Sequence, residues 1–294
     1  MGTAWNAAVL AVVDGDTEKL RALLANDREL VHATSGPPFE ARLLHYVAAN
    51  GVSDELQRTP PNAPEIAKLL LDAGAAPDAL GKAYGAGANA TALCLLVSSW
   101  HPFARGVQSD LVRVLVEGGA QLNGLLDDGA PLTTALTFGY SASARTLADL
   151  GARVDNLLLA AGLGKMERVF SFFDASGQAK ANALGSYVPA VGGLHSFHPR
   201  EIAQQAFHFA LTHGHEAVAS WLLKHGADAR GRVVGHHAAL PLLQCLFVHR
   251  PSMIPFLLDH GADPHESDPK LKVNAIQFAN SSGQPKAVAL LQTR

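Results

Sequence analysis

Histidine is the side chain in this 294-residue sequence that is best able to do chemistry, because imidazole can exchange a proton near neutral pH. The chain has 14 histidines, and five have no structural role that the sequence pattern explains. These five are the candidate acid–base residues: His195, His198, His213, His236 and His237. A neutral ring can act as a general base and a protonated ring as a general acid.

Other chemistries have weaker support in the sequence. His195-x-x-His198 and the pair His236–His237 could gather four imidazoles, but no cysteine or carboxylate accompanies them at ligand spacing. We therefore predict no metal and no cofactor. Phosphate-binding, dinucleotide and nucleophile-elbow motifs are absent, and Gly85-x-Gly87 does not open a strand–helix unit. Proton transfer is thus favoured over redox or phosphoryl transfer.

Composition narrows the class of protein. The chain is 48% hydrophobic with a net charge of −3, which is typical of a globular protein and argues against nucleic acid as a partner. The sequence has no block of basic residues, no pattern of a secretory signal and no apolar run of about 18–20 residues, so no membrane partner is predicted. Cys94 and Cys245 both lie in apolar runs and are interpreted as buried thiols. These features predict a cytoplasmic protein.

The elements that must position the histidines follow from an internal repeat. A six-residue phrase that begins with Leu and ends in Gly-Ala recurs along the chain, and another helical pattern precedes most copies. We call the preceding helix the first helix of each predicted repeat, and the helix that ends in the Leu…Gly-Ala phrase its second helix. Gly at this place is typical of a helix end, because it adopts the left-handed conformation after the last turn. The five copies are Leu70–Ala75, Leu115–Ala120, Leu147–Ala152, Leu222–Ala227 and Leu257–Ala262.

The preceding helical pattern carries a family resemblance. Leu43–Gly51, with His45, resembles the Thr-Pro-Leu-His and Leu-Ala-Ala consensus of ankyrin repeats. Phe207–His215 also matches it, Pro131–Gly139 matches it in part, and Pro241-Leu242 opens another copy. With Pro60-Pro61-Asn62-Ala63, the chain is similar to solitary bacterial ankyrin-type proteins. Insertions interrupt the repeat at 52–64, 101–109 and 176–200.

The resemblance implies an all-α solenoid in a single domain, 1–294, with short hairpin loops and a cap at each end. About eight helix–turn–helix repeats are expected. Their approximate bounds are 4–33, 40–80, 88–124, 128–156, 157–183, 200–231, 238–267 and 272–294.

The resemblance also places two residues at the end of each first helix on a concave surface, here called the concave row. The row is Val13/Asp14, Ala49/Asn50, Ser98/Ser99, Thr137/Phe138, Gly162/Leu163, Thr212/His213, Phe247/Val248 and Ser281/Ser282. It has almost no charge, which indicates a groove for an apolar ligand or a protein segment. The predicted ligand-binding residues are Phe138, Leu163, Phe247 and Val248 in the row and Tyr84 and Tyr187 in the hairpin loops.

The remaining repeat-associated histidines are expected to be structural. The resemblance places His45 and His208 at the Thr-Pro-Leu-His position, where the ring bonds to nearby backbone, and His215 after the Gly of a first helix. His225 and His260 lie in the last turn of predicted second helices, where an imidazolium suits the helix dipole.

Three functions follow as hypotheses. The first is a repeat scaffold whose apolar groove binds a hydrophobic small molecule or a protein segment. The alternative is a cofactor-independent acid–base enzyme, a dehydratase/cyclase or isomerase of small-molecule biosynthesis acting on a polyketide-like substrate. The third is an immunity, regulatory or chaperone-like partner without catalysis. Neither nucleic acid nor a membrane is expected as a partner.

Overall fold

The computed structural model describes residues 2–85, 87, 89–185, 198–232 and 238–293, and within these ranges the chain is mostly helical. The all-α prediction is confirmed at this level. Strand is confined, in the described ranges, to an antiparallel hairpin of β1 (Gly81–Lys82) and β2 (Asn89–Ala90).

Seventeen α-helices lie in the described ranges. They are α1 Thr3–Asp14, α2 Thr17–Asn26, α3 Leu43–Ala48, α4 Ala63–Asp72, α5 Ala92–Leu96, α6 Trp100–Arg105, α7 Gln108–Glu117, α8 Ala130–Thr137, α9 Ser141–Asp149, α10 Leu157–Gly162, α11 Met166–Ser171, α12 Pro199–His213, α13 Glu216–Leu223, α14 Pro241–Phe247, α15 Ile254–Asp259, α16 Ala275–Ser281 and α17 Pro285–Leu291. Short 3-10 helices occur at Arg28–Val31, Asp54–Leu56, Ala83–Gly85 and Pro251–Met253. Along the chain, all the α-helices except α6 alternate as a first helix and a second helix.

The recurring Leu…Gly-Ala phrase explains where second helices end. In all five copies the glycine has a φ between 89° and 103°, the left-handed region that disfavours a side chain. In each copy the backbone N–H of the final alanine donates to the carbonyl of the leading leucine, at 2.9 to 3.1 Å. This is the 6→1 hydrogen bond of a Schellman motif. The prediction that the phrase terminates a helix is confirmed.

Contacts divide the chain into two compact units. Unit 1 comprises Met1–Ala135 and Ala142–Arg153, and unit 2 comprises Leu136–Ser141 and Val154–Arg294.

In unit 1, first helices pack on first helices, α1 on α3 and α3 on α5. Second helices pack likewise, α2 on α4 and α4 on α7. The layers meet over fully buried apolar side chains such as Leu43, Ile66 and Leu96, whose burial supplies the main driving force for folding.

In unit 2, α10 packs on α12, α12 on α14 and α14 on α16, while α15 packs on α17. Phe207 is the largest fully buried side chain here. The longest helix, α12, begins at Pro199, which suits a first helical position because its missing N–H would have no partner there.

Two of the three insertions take a regular form. The first (52–64) contains the 3-10 helix Asp54–Leu56 and enters α4, and the second (101–109) forms most of α6 and the start of α7. The third (176–200) lies partly outside the described residues. No helix in the described ranges is both long enough and apolar enough to span a bilayer.

Candidate functional site

Several concave-row residues of unit 2 converge on one short segment, 136–141, which joins the end of α8 to the start of α9. A Cβ built on Gly139 would lie 3.4 Å from Cγ1 of Val248 and 3.7 Å from Cγ2 of Thr212. A Cβ on Gly162 would lie 3.0 Å from Cδ2 of Leu136. The absence of a side chain at Gly162 therefore permits this close approach, and row positions from four predicted repeats meet in one cluster.

His213 lies at the centre of this cluster, at the end of α12, with 5% of its surface exposed. Its Nε2 donates to the carbonyl oxygen of Leu136 at 2.8 Å. In the neutral ring, Nδ1 then accepts from the hydroxyl of Ser141 at 2.7 Å. No packing role for a histidine at this position was expected from the repeat pattern, but the ring has one, because it ties α12 to the 136–141 segment.

Two residues that sequence reasoning missed, Ser141 and Arg250, complete the arrangement. The Arg250 Nη2 donates to the Ser141 Oγ at 3.2 Å, while Ser141 is only half-buried. A serine hydroxyl bonded to a neutral imidazole is the arrangement that activates a nucleophile. Only tertiary packing brings Ser141 and Arg250 together, since 109 residues separate them.

The other predicted acid–base residues are not brought to this cluster in the described part of the chain. His198 is exposed and caps α12, where its Nδ1 accepts from the N–H of Arg200 at 3.3 Å. His195, His236 and His237 lie outside the described residues, as does the predicted ligand-binding Tyr187.

Of the remaining predicted ligand-binding residues, Phe138 and Val248 belong to the cluster at 136–141, and Tyr84 lies in unit 1. Phe138 stacks on Tyr140 with ring centroids 6.3 Å apart, and Phe247 packs edge-on against Phe278 at 4.8 Å. Leu163 and Val248 are half-buried. In unit 1, Tyr84 is 64% exposed and donates to the Oδ1 of Asn50.

The histidines expected to be structural bond to backbone where their contacts are described. His45 is buried, its Nδ1 accepts from the N–H of Arg42 at 3.0 Å and its Nε2 donates to Ala90 at 3.1 Å. His215 donates from Nε2 to Gly162 at 3.0 Å. His225 and His260 each donate from Nδ1 to the carbonyl four residues earlier, at 2.7 Å.

A second candidate site is a cavity of about 440 Å³ in unit 1, and none of the site residues predicted from the sequence lines it. We call it the aromatic cavity. It lies between α1, the 35–39 loop, α3 and the 53–56 segment. Its apolar wall is formed by Trp5, Val9, Leu10, Phe39, Tyr46 and Leu56, with Pro37 and Pro38 beside them, and its polar groups are Asn6, Ser35, Ser53 and Glu55. Its volume falls in the range of small-molecule sites.

The electrostatics of the aromatic cavity are simple. Of the described residues lining it, Glu55 alone carries a formal charge. Hydrogen bonds from the Ser53 side chain and its own backbone hold the pKa of Glu55 below its usual value, so the carboxylate is charged at neutral pH. Burial, aided by the nearby Glu55 charge, raises the pKa of the Tyr46 phenol against the opposing effect of a Ser35 hydrogen bond.

A larger groove of about 600 Å³ between α2 and α4 is a weaker candidate. Four of its five charged residues form ion pairs, since Lys68 pairs with Asp72 at 3.0 Å and Arg21 lies 4.0 Å from Glu65; the fifth is Arg28. Paired surface charges leave little to attract a ligand.

Groups of three or more His, Cys, Asp or Glu suited to a metal do not occur within the described ranges. The four-histidine cluster considered from the sequence is not covered by this finding, because three of its members lie outside those ranges. A comparison of the chain with protein-family models and with curated proteins found no match in either.

Proposed function

We propose that this chain is an ankyrin-type repeat protein that binds an apolar ligand, and that the aromatic cavity of unit 1 is where binding occurs. The ankyrin assignment is supported by alternating first and second helices that pack like on like, and by five identical helix ends. It is also supported by His45, whose ring bonds to backbone at the position the family uses for this purpose.

The aromatic cavity is the observation that carries the binding proposal. Its volume of about 440 Å³ and its aromatic and aliphatic wall suit a small hydrophobic molecule, because burial of apolar surface drives such binding. Asn6, an exposed polar residue of the lining, can orient the ligand through hydrogen bonds. The apolar groove predicted from the sequence follows the concave row, whereas the proposed site lies beside α1 and the first insertion.

The test uses the neutral dye N-phenyl-1-naphthylamine, whose fluorescence rises in apolar surroundings. Asn6 is exposed on α1 and lines the cavity, so Asn6→Trp should fill part of it and weaken dye binding about tenfold. Thr3→Trp is the matched control, because Thr3 is exposed on the same helix but does not line the cavity. Equal dye binding by the two variants, or no binding by the unaltered chain, would refute the proposal.

The alternative, a cofactor-independent acid–base enzyme, is favoured by one observation, the Ser141–His213–Arg250 arrangement. Such an enzyme, a cyclase or isomerase on a polyketide-like substrate, would use His213 as its base. His213→Gln should then abolish turnover while dye binding in unit 1 persists. Full turnover by a folded His213→Gln variant would remove this residue from any mechanism. A cytoplasmic location stays a prediction.

A further inference from the structure

The aromatic cavity combines an uncompensated negative charge with aromatic walls, and this combination discriminates among ligands. We propose that it selects hydrophobic organic cations, such as arylammonium ions, over neutral or anionic molecules of the same shape. This inference rests on the proposed function, since it names the chemical class of the ligand that the cavity binds.

The charge balance around the cavity supports a cationic ligand. No Lys, Arg or His is among its described lining residues, and the Glu55 carboxylate forms no ion pair with the described part of the chain. Arg58 lies three residues away but its Nη2 and Nε bind Asp14 at 2.6 and 3.0 Å. Its Nη1 donates to the backbone carbonyl of Glu55, not to the carboxylate.

Lys82, whose backbone N–H donates to the carbonyl oxygen of Phe39 at 2.6 Å, is similarly occupied. Lys82 forms an ion pair with Glu40, the residue that follows Phe39 in the 35–39 loop. Neither Arg58 nor Lys82 is therefore available to neutralise Glu55. The Glu55 carboxylate is exposed to solvent, so it attracts a cation that binds in the cavity and repels an anion.

The aromatic residues favour the same ligand class. Trp5, Phe39 and Tyr46 line one cavity, and the faces of such rings attract cations through their quadrupole. Trp5 and Tyr46 meet edge to face, with centroids 6.4 Å apart and an interplanar angle of 70°, so the two rings are oriented differently. An alkylated ammonium group suits this wall better than a strongly hydrated ammonium ion, because its methyl groups also bury apolar surface.

Three ligands of matched shape and different charge test the inference. They are 4-(trimethylammonio)benzyl alcohol, its neutral isostere 4-tert-butylbenzyl alcohol, and the anion 4-(hydroxymethyl)benzenesulfonate. The full chain is labelled with 5-fluorotryptophan, and each ligand is titrated by fluorine NMR. Since the chain has three tryptophans, the Trp5 resonance can be assigned from a Trp5→Phe variant and followed separately.

At low ionic strength, we expect the cation to bind about tenfold more tightly than the neutral alcohol, and the anion to bind most weakly. Glu55→Gln should reduce the preference for the cation to about threefold, the part that the aromatic rings supply. Glu29→Gln removes the same charge from an exposed site that does not line the cavity, and should leave the preference unchanged. Leu10→Lys, which places a positive charge on the exposed rim, should reverse it.

The possible failures are distinguishable. If the neutral alcohol shifts Trp5 and binds as tightly as the cation, and Glu55→Gln changes nothing, the cation inference is overturned and the proposed function survives. If none of the three ligands shifts the Trp5 resonance at millimolar concentration and the dye does not bind, both are overturned.

Discussion

Replacing His45 with leucine is expected to destabilise unit 1 in a way that depends on pH. The ring is 1% exposed and makes two hydrogen bonds, one from the N–H of Arg42 and one to the carbonyl of Ala90. Leucine is similar in size, so little packing is lost, but both backbone groups lose their partner. An unsatisfied buried polar group costs about 1–3 kcal/mol, and both backbone sites are half-buried, so the expected loss is about 2–4 kcal/mol.

The pH dependence has a definite sign. Burial, assisted by the nearby Arg42 charge, lowers the pKa of His45 from its usual 6.5, even though its hydrogen bond to the Ala90 carbonyl opposes the shift. As the pH falls, His45 therefore becomes protonated at a higher pH in the unfolded chain than in the folded chain. The stability that His45 supplies is present above pH 6.5 and is lost as pH falls towards the folded-state pKa.

Urea unfolding of the unaltered chain and of His45→Leu, at a series of pH values from neutral to mildly acidic, measures both effects. The free-energy difference between the two proteins should be largest at neutral pH and shrink on acidification. His265→Ala, an exposed histidine in unit 2, is the control and should change stability by less than about 0.5 kcal/mol. A His45→Leu variant as stable as the control at neutral pH, or a difference independent of pH, would refute the reasoning.

Three further predictions concern other parts of the chain. Asp268→Ala should destabilise unit 2 by about 3–5 kcal/mol in urea unfolding, because the carboxylate is fully buried and is held by four hydrogen bonds. The donors are the Arg232 Nε and the backbone N–H groups of Leu240, Lys270 and Leu271. A loss below about 1 kcal/mol would contradict this prediction. Gly261→Ala should cost about 1–2 kcal/mol in thermal unfolding, since φ is 89° and a Cβ would meet no atom within 4 Å, so that the cost is conformational alone; an unchanged melting temperature would argue against the assigned helix end. Burial raises the pKa of the Cys245 thiol to about 12, so a Cys94→Ala variant should not react with Ellman's reagent at pH 8 until it is unfolded in urea; rapid reaction of the folded variant would show that Cys245 is accessible.

Helix ends could be predicted from the sequence because they depend on local chemistry. In Leu257–Ala262 the hydrogen bond that closes the helix joins the first and last residues of the phrase, and the glycine between them supplies the required conformation. The roles of His45, His225 and His260 are similarly local, because their described partners include backbone groups a few residues away. Such interactions involve residues within one short stretch of sequence, so they can be predicted from it.

The sites depend on contacts that no short stretch contains. The convergence of His213, Ser141 and Arg250 requires three segments to pack together, and the concave row alone could not indicate that His213 would be buried. The aromatic cavity draws Trp5, Phe39, Tyr46 and Glu55 from four separate segments. One signal was nevertheless present, since Glu55 belongs to the first insertion and long insertions in a repeat array often carry function.

The helix α3 connects the fold of unit 1 to its candidate site. His45 fixes the beginning of α3 through Arg42 and holds it beside β2 through Ala90, while the next residue, Tyr46, forms part of the cavity wall. Successive residues on a helix point in different directions, so one can bond to the hairpin while the other faces α1 and packs edge-on against Trp5. This hydrogen-bonded histidine thereby helps to position an aromatic ring of the candidate site. Two adjacent side chains of α3 thus connect the helical framework of unit 1 with the proposed binding site.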